Sequence, residues 1–563
     1  MMPDIQPALP LILGGIALPL IPLSLRRILL PIIPLIGLWN IYMMPQSYHE
    51  TLTLAGFELN IVRTDKLSLL FGYLFHIAGF LAAIYSVHLK DRLQPSTGLL
   101  YAGSAVGAVF AGDLLTLFIF WELLAITSVF QIWASKTPKA TASGMRYLLM
   151  HISSGLLLLI GTILYYNSNN TLTFNHLGLG SLSTQLIFLG IGIKCAFPLF
   201  HTWLVDSYPE ATPTGTVFLS SFTTKTAVYA LARGYAGIEE LIWIGSAMAM
   251  FPIFYAVIEN DLRRVLGYSM INQIGFMVVG IGLGEGMGVN GAVAHAFNDV
   301  IFKGLLFMSM GAVLLRTGRM NGSDLGGLYK SMPWTCGFCI VGASSISAFP
   351  LFSGFISKSM VMQAAADQNY LYVWLMLLFA SAGVFHHAGI KIPFFAFFGH
   401  DQGLRCKEAP KNMLIAMGLG ATLCIGIGSF PQYLYSLLPY PVKYEPFTAT
   451  HVILQLQLLF FSALAFAVLQ LTRIYPPELP STNIDSDWIF RKLLPKCSRI
   501  CTKLWMRLKT VFSQVFCKVF INMVLKTVKS HHGKDGLFSK SWSISSNSTI
   551  VIGLLIFYLI YFL

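Results

Sequence analysis

Along this chain apolar residues repeatedly run on for about 20 positions, the length that crosses ~30 Å of hydrocarbon, and about fourteen or fifteen such runs can be cut from it. That repetition leaves few folds open. With no water to satisfy a backbone inside a bilayer, each run has to close its own hydrogen bonds as a helix. Composition agrees: of 563 residues 55% are hydrophobic and 11% charged, and the mean hydropathy is +0.68, far from the range of soluble domains. The expected fold is therefore an all-α polytopic membrane protein. The first apolar stretch, ALPLILGGIALPLIPL, lacks a basic leader and a small-residue cleavage site, so no cleavable signal is expected.

The net charge of +13 could point to nucleic acid, but its placement points to lipid. Between Arg491 and Lys540 there are twelve Lys or Arg and one acid, Asp535, which reads as a cytoplasmic juxtamembrane segment facing anionic headgroups. Within it Ile500, Leu504, Leu508, Phe512, Phe516, Phe520 and Val524 keep one apolar line, while Lys503, Arg507, Lys518, Asn522 and Lys526 keep another. This is an amphipathic helix too polar to span, expected along the membrane surface or against partner subunits. The eight cysteines are scattered, and neither C-x-x-C at Cys336 nor C-x3-C at Cys497 has a second pair at zinc spacing. They read as small hydrophobes; no metal and no cofactor is expected.

Against this background the charged residues inside apolar runs stand out. A lysine near the bilayer centre costs roughly 2.5–3.5 kcal/mol, so it normally faces a bundle interior or a wet cavity and has a partner. Lys194 and Lys225 fall within residues 190–233, on either side of a segment broken by Pro198 and Pro209; snorkelling from helix ends remains the alternative for Lys225. Glu122 lies mid-run in GDLLTLFIFWELLAITSVF, with no loop to escape to, where it must be protonated, paired or hydrated. Asp65 and Asp113, at the starts of runs, read as helix caps. His295, Asp299 and Lys303 are spaced i, i+4, i+8 and stack on one helix face, with an imidazole able to pass protons near neutral pH. His386, His387 and Lys391 follow in FHHAGIKIP, and Lys358 is placed near an interface beyond the FPLFSG break. His201, Asp206, Asp299, His386 and His387 form a candidate second route beside Glu122, Lys194, Lys225, His295, Lys303 and Lys391.

Lys391 close to Pro393 echoes Lys194 close to Pro198, which points to a duplicated unit, residues 97–236 and 241–400, of the broken-helix kind seen in transporters. Around it stand N-terminal helices at 1–96, further core helices at 401–480, the basic lateral segment at 481–546 and a terminal span at 547–563.

The phrases GDLLTLFIFWELL, K-x3-P-x2-H-x-W-L-x-D-x-x-x-E-A-x-x-P, H-A-F, K-G-L-L-F and GFISKS occur in order over about residues 60–430. They closely resemble the antiporter-like subunit family: the proton-pumping membrane subunits of respiratory complex I and their relatives in Mrp-type sodium/proton antiporters, nearest to the D-type Mrp subunit. The resemblance implies about fourteen core helices with two inverted five-helix repeats. It also implies a polar axis in which Glu122 faces Lys194 and Lys225, His295 and Lys303 continue, and Lys391 lies near the exit. The lateral segment is unusual for the D-type and similar to that of the largest complex I antiporter-like subunit. The implied function is a proton-translocating subunit of a multisubunit Na+/proton antiporter. Alternatives are the pump subunit of a redox-driven NADH:quinone oxidoreductase or membrane hydrogenase, and, more weakly, a proton-coupled subunit of an inorganic-carbon uptake system. With no flavin, nucleotide or iron–sulfur motif in the chain, redox chemistry would belong to partners. The partners expected are other membrane subunits, the lipid bilayer, protons and Na+, with no nucleic acid, in a bacterial inner membrane.

Overall fold

The computed structural model describes residues 6–54, 56–284, 286–472, 474–476, 479, 483–534, 536, 539 and 543–562; Asp535, Lys540 and the expected boundaries at Met1, Ser481 and Leu563 lie outside them. Two compact units are formed, Met1–Asn483 and Ile484–Leu563.

The first unit opens with helices α1 (Leu9–Ala17) and α2 (Leu23–Met43). The polar excursion at 45–64 is an antiparallel hairpin of β1 (His49–Leu54) and β2 (Phe57–Arg63), for which HETLTL and FELNIVR supply alternating residues. There follow α3 (Lys66–Ser86), α4 (Leu93–Phe110), α5 (Leu114–Trp133), α6 (Pro138–Asn169), α7 (Leu182–Lys194), α8 (Thr202–Ser207), α9 (Pro213–Ser221), α10 (Thr223–Gly234), α11 (Glu239–Ile258), α12 (Leu262–Gly282) and α13 (Met287–Thr317). Then come α14 (Pro333–Ile346), α15 (Ser353–Asp367), α16 (Leu371–Val384), α17 (Lys411–Ser429), α18 (Gln432–Tyr435) and α19 (Ala449–Leu471). Helix α16 runs on as two π-helical turns, Phe385–Lys391 and Phe394–Phe398. Among the described residues twelve helices are long and apolar enough to cross a membrane, with shorter apolar ones at Leu9–Leu20, Leu182–Lys194 and Pro333–Ile346. The chain is thus an integral, multi-pass, all-α membrane protein.

Caps set the helix starts. Asp65 accepts from Ser68 N at 2.8 Å while Ser68 Oγ accepts from Asp65 N, a capping box, and Asp113 accepts from Thr116 N. Asp65 also takes two hydrogen bonds from Arg233 Nη2, at 2.9 and 2.8 Å, tying α3 to the end of α10. Burial works to raise this carboxyl, but Arg233 and the Ser68 amide prevail and hold it below its usual range. Asp65→Ala is expected to lower stability by about 1–2 kcal/mol, read as a drop in the thermal midpoint in detergent. Because the carboxyl is held low in the folded state, its contribution is complete at neutral pH and declines as pH falls through that lowered value.

Two helix breaks share one construction. After α7 the chain turns through Ala196 (φ 62°) and Leu199 (φ 73°); after α14 it turns through Ala348 (φ 58°) and Leu351 (φ 73°). Both turns spell Ala-Phe-Pro-Leu-Phe, at 196–200 and 348–352. Phe197 N donates to Gly192 O as Phe349 N does to Ser344 O, each at 3.0 Å. Left-handed alanine and leucine cost about 1–2 kcal/mol each, a strain held only where the surroundings dictate it. The loops match as well: Leu114 N bonds Leu172 O and Phe174 N bonds Gly112 O, as Leu262 N bonds Met320 O and Gly322 N bonds Asn260 O. The partner of the Pro198 break is therefore the Pro350 break. Lys391 and Pro393, matched with it from sequence, lie instead in and after a π-helical turn of the next crossing.

Helix α12 is wholly buried over its most apolar stretch and α13 is 78% buried, so these two form the centre of the bundle. At the start of α12 Asp261 accepts from the amides of Arg263 and Arg264. Arg263 turns inward at 1% exposure and donates to the carbonyls of Pro209 and Ala211.

The second unit holds α20 (Leu494–His532) and α21 (Ile544–Phe562), with no residue buried in either. The apolar line of α20 is formed, with Phe512, Phe516 and Phe520 stacked at 5.9 Å steps. Its most apolar stretch is hydrophobic enough to span, but 39 residues make a helix of about 58 Å, twice the hydrocarbon thickness, with lysine and arginine along it.

Candidate functional site

The buried charged groups line up through the middle of the first unit. At one end, α5, α6 and α7 meet around Trp121. Its indole Nε1 donates to Ser154 Oγ at 3.0 Å, and that hydroxyl donates to Gly190 O at 2.6 Å. Lys194, at the last turn of α7 and 0% exposed, donates to the Trp121 carbonyl with its ammonium 4.5 Å from the centre of the indole ring. A cation over an aromatic face is stabilised without a counter-ion. The next residue, Glu122, is half-buried, within electrostatic reach of Lys194, and its Oε1 is buried with no hydrogen-bond partner. It fits only because α6 has Gly155 opposite: a Cβ there would sit 1.6 Å from Oε1. Beside this pair His151 is buried between Tyr147 and Trp203, ring centroids 4.1 and 4.5 Å away, with neither nitrogen hydrogen-bonded.

At the centre Lys225 on α10 meets Asp299 on α13 at 2.6 Å, both side chains 0% exposed. Snorkelling is thus excluded for Lys225. Its ammonium also donates to Ser220 O at 3.3 Å, made available where the crossing is interrupted between α9 and α10, whereas neither Asp299 oxygen has a well-formed hydrogen bond. One turn along α13, Lys303 donates to Ser269 Oγ of α12 at 2.9 Å.

One turn the other way is His295, whose proton positions follow from its neighbours. Asn272 donates from Nδ2 to the Ala249 carbonyl, so its Oδ1 faces Gln273 Nε2, at 2.6 Å. That turns Gln273 Oε1 toward His295 Nε2, 3.1 Å away. An amide oxygen only accepts, so Nε2 carries a hydrogen. The opposite nitrogen, Nδ1, lies 3.0 Å from Ser357 Oγ, a hydroxyl that also accepts from Asn298 Nδ2 at 3.1 Å and can serve Nδ1 as donor or acceptor.

Ser357 leads to Lys358, and here the sequence expectation is corrected. Lys358 is not at an interface: it is 1% exposed, donates to Ile346 O at 2.9 Å and lies 5.0 Å from the centre of the Phe276 ring. The α14 break frees the Ile346 carbonyl, and a buried lysine is what satisfies it. At the other break Trp203 Nε1 does the same for Ile193 O, at 2.9 Å.

The remaining candidates are dispersed. Lys391 is buried and donates to Val257 O at 2.6 Å and Glu259 O at 2.7 Å, a cation on the C-terminal carbonyls of α11 where the helix dipole favours it. His387 is buried within electrostatic reach of Lys303. His386 packs on Phe466 and Tyr475. His201 lies 4.6 Å from the Phe251 ring. Asp206 pairs at 2.8 Å with Arg146, whose side chain is 41% exposed, outside the buried line. Sequence reasoning misplaced Lys358 and missed Gln273, Ser357, Asn298, Ser269, His151 and Gly155. The serines in SGFISKS were the available signal for Lys358, since hydroxyls beside a lysine in an apolar run mark a polar face.

Residues 111–385 match the family described as NADH:quinone oxidoreductase/Mrp antiporter, TM, which bears out the resemblance drawn from the motifs. The chain is 28% identical over 427 residues to the A-type component of the Na(+)/H(+) antiporter of Alkalihalophilus pseudofirmus, covering 66% of this chain and 53% of that protein. It is 29% identical to the D-type component from the same organism, covering 63% of this chain and 76% of that one. With hydrogenase-4 component B of Escherichia coli it shares 26% identity, covering 60% of this chain and 56% of that protein. The chain thus spans little more than half the length of some relatives it matches. Among solved structures, a chain of the Mrp complex from Dietzia sp. DQ12-45-1b superposes with a TM-score of 0.69 at 21% identity, over 77% of this chain and 95% of that chain. A chain of an archaeal membrane-bound sulfane sulfur reductase superposes with a TM-score of 0.71 at 21% identity, over 98% of this chain and 99% of that chain. At such identities these structures establish the fold.

Proposed function

Because residues 111–385 match the family described as NADH:quinone oxidoreductase/Mrp antiporter, TM, we propose that this chain is the proton-translocating membrane subunit of a multisubunit Na+/proton antiporter. The observation that carries the reading is one buried carboxylate shared among several buried ammonium groups. Asp299 contacts Lys225 directly and acts electrostatically on Lys303 and Lys358. One negative charge cannot offset three positive ones in a low dielectric, so a proton on one lysine repels a proton on the next. Glu122 and Lys194 form the input pair: when Glu122 is protonated Lys194 loses its counter-charge, and the change is felt at Lys225. Lys225 then gives way on Asp299 to Lys303, and Ser269, His295, Gln273 and Ser357 supply the hydrogen-bonding line to Lys358. Lys391, with His386 and His387, forms a side branch, and His201 and Asp206 serve the loop side of the first break.

The two sets of matched loops support two units of opposite orientation, α4 to α10 and α11 to α16. Successive crossings put Lys90, Lys136, Lys139, Arg316, Lys330 and Arg405 on one side, which positive-inside bias assigns to the cytoplasm. Helix α20, basic and amphipathic, lies on anionic lipid or along neighbouring subunits.

The redox-driven reading is favoured by one finding, the superposition of 98% of the chain, through its C-terminal helices, on a chain of a respiratory complex. Reconstituting the chain with its genomic neighbours in vesicles separates the two. A sodium gradient that moves protons supports antiport. Proton movement that ignores sodium but follows NADH and quinone replaces antiport with the pump.

A further inference from the structure

Where α3 begins and α10 ends there is a polar cavity of about 450 Å³, lined by none of the residues of the buried charge line. Helix α3 runs from this end toward Lys90, so the cavity lies at the face opposite the basic loops, at the depth where a crossing leaves hydrocarbon for headgroups. Its donors outnumber its acceptors. The Asp65 carboxylate is already engaged: Oδ1 accepts from Ser68 N and Arg233 Nη2, and Oδ2 accepts from Arg233 Nη2. Arg233, with its side chain 10% exposed, gives Nε to the Tyr229 hydroxyl and Nη2 to Asp65, which leaves Nη1 for the cavity that it lines. Asn175 Oδ1 accepts from Arg63 Nη1 at 2.8 Å, so the hydrogens on its Nδ2 remain for the cavity side. The Asp65 cap takes the Ser68 amide, and the Lys66 and Leu67 amides before it have no acceptor within the helix. Around the one carboxylate stand three cations: Arg233 and Arg63 beside it, and Lys66 on the lining.

We propose that this cavity is an oxyanion site that binds a phosphate group, either the headgroup of an anionic phospholipid or free phosphate. The first turn of a long helix offers unused amides and the positive end of its dipole to an anion. Arg233 adds a guanidinium nitrogen whose direction is fixed by the bonds its other two nitrogens make, and a charge-assisted contact of that kind is among the stronger hydrogen bonds. The same surplus of positive charge disfavours a cation. The opposite wall is held in place by Asn290, which donates from Nδ2 to Tyr440 O at 2.9 Å and accepts at Oδ1 from Tyr440 N at 3.1 Å. Leu67, Ala236 and Val289 supply apolar lining for the carbon next to the phosphate, and the volume is that of an ordinary small-ligand site. A bound phosphate bridges the start of α3 and the end of α10, the helix that carries Lys225, and so braces the two crossings against each other. The site stands apart from the proton line and does not depend on the translocation reading.

The test uses the full chain, purified in a non-ionic detergent and stripped of lipid. It is titrated separately with short-chain phosphatidylglycerol, with inorganic phosphate and with short-chain phosphatidylcholine, and the rise in thermal midpoint is followed to saturation. Asn175→Asp keeps the oxygen that Arg63 bonds and turns the donor side of the residue into a negative charge. Lys66→Gln removes a charge at an exposed position and keeps the test open should Asn175→Asp disturb Arg63. Expected is saturable stabilisation of the native chain by an anion, with half-saturation about tenfold higher in the variants. Phosphate acting as well as phosphatidylglycerol identifies free phosphate as the ligand; phosphatidylglycerol acting alone identifies a lipid headgroup. Equal stabilisation by phosphatidylcholine would mean that acyl chains and not charge are bound, and overturns the site. So does a half-saturation unchanged in both variants, because the anion is then held elsewhere, as along α20, and so does the absence of stabilisation by either anion.

Discussion

Asp299→Ala is expected to lower stability by about 3–5 kcal/mol and to abolish proton movement. The carboxylate lies 2.6 Å from Lys225 with both side chains sealed from solvent, so its removal leaves a buried ammonium without a counter-charge. A protein with about 5–15 kcal/mol in hand feels such a loss as partial unfolding. A second variant keeps the result interpretable. Replacing both partners, Lys225→Met with Asp299→Leu, removes the charges together and is expected to restore most of the stability, because a buried ion pair is often matched by well-packed apolar groups. It should not restore transport. Thermal unfolding in detergent and proton flux in vesicles read the two effects separately. A double variant that transports would mean that the pair is structural and that protons pass elsewhere.

Gly155→Ala is expected to reduce transport severely with little change in stability. Alanine is favoured over glycine in a helix by about 1 kcal/mol, so α6 itself is not weakened. The added methyl, however, would stand 1.6 Å from Glu122 Oε1, and the carboxylate has to swing off its present site. Glu122 is only half-buried, so it has somewhere to go, but not within the geometry that couples it to Lys194. Loss of flux comparable to that of Glu122→Gln, at an unchanged thermal midpoint, is the expected pair of readings. Native flux would show that Glu122 works from more than one position, or not at all.

Much of this was legible because membrane insertion makes polar residues conspicuous. Glu122, Lys194, Lys225 and the ladder at His295, Asp299 and Lys303 are found by asking which side chains hydrocarbon should reject. The same question failed at Lys358. It follows a proline-containing break, and sequence alone does not distinguish a break that ends at the membrane surface from one that turns within the membrane. The neutral partners were harder still: Ser269, Gln273, Asn298 and Ser357 are tolerated in many helices, and only their neighbours on other helices give them meaning. The internal duplication was read through the wrong pair because a lysine beside a proline attracts attention, whereas the true match, Ala-Phe-Pro-Leu-Phe at both breaks, carries no charge. Its significance lies in backbone angles that place alanine and leucine at positive φ. The ladder itself was legible as one face, but not where that face leads: Asp299 meets α10, Lys303 meets α12, and His295 meets both α12 and α15.

The claim that protons cross by way of Lys225 is tested most directly by proton flux into vesicles holding the full chain and its neighbours, native against Lys225→Ala, under one imposed gradient. The expected result is that the alanine variant, shown to be inserted and folded, moves no protons above the protein-free background. Flux equal to that of the native chain would contradict the claim.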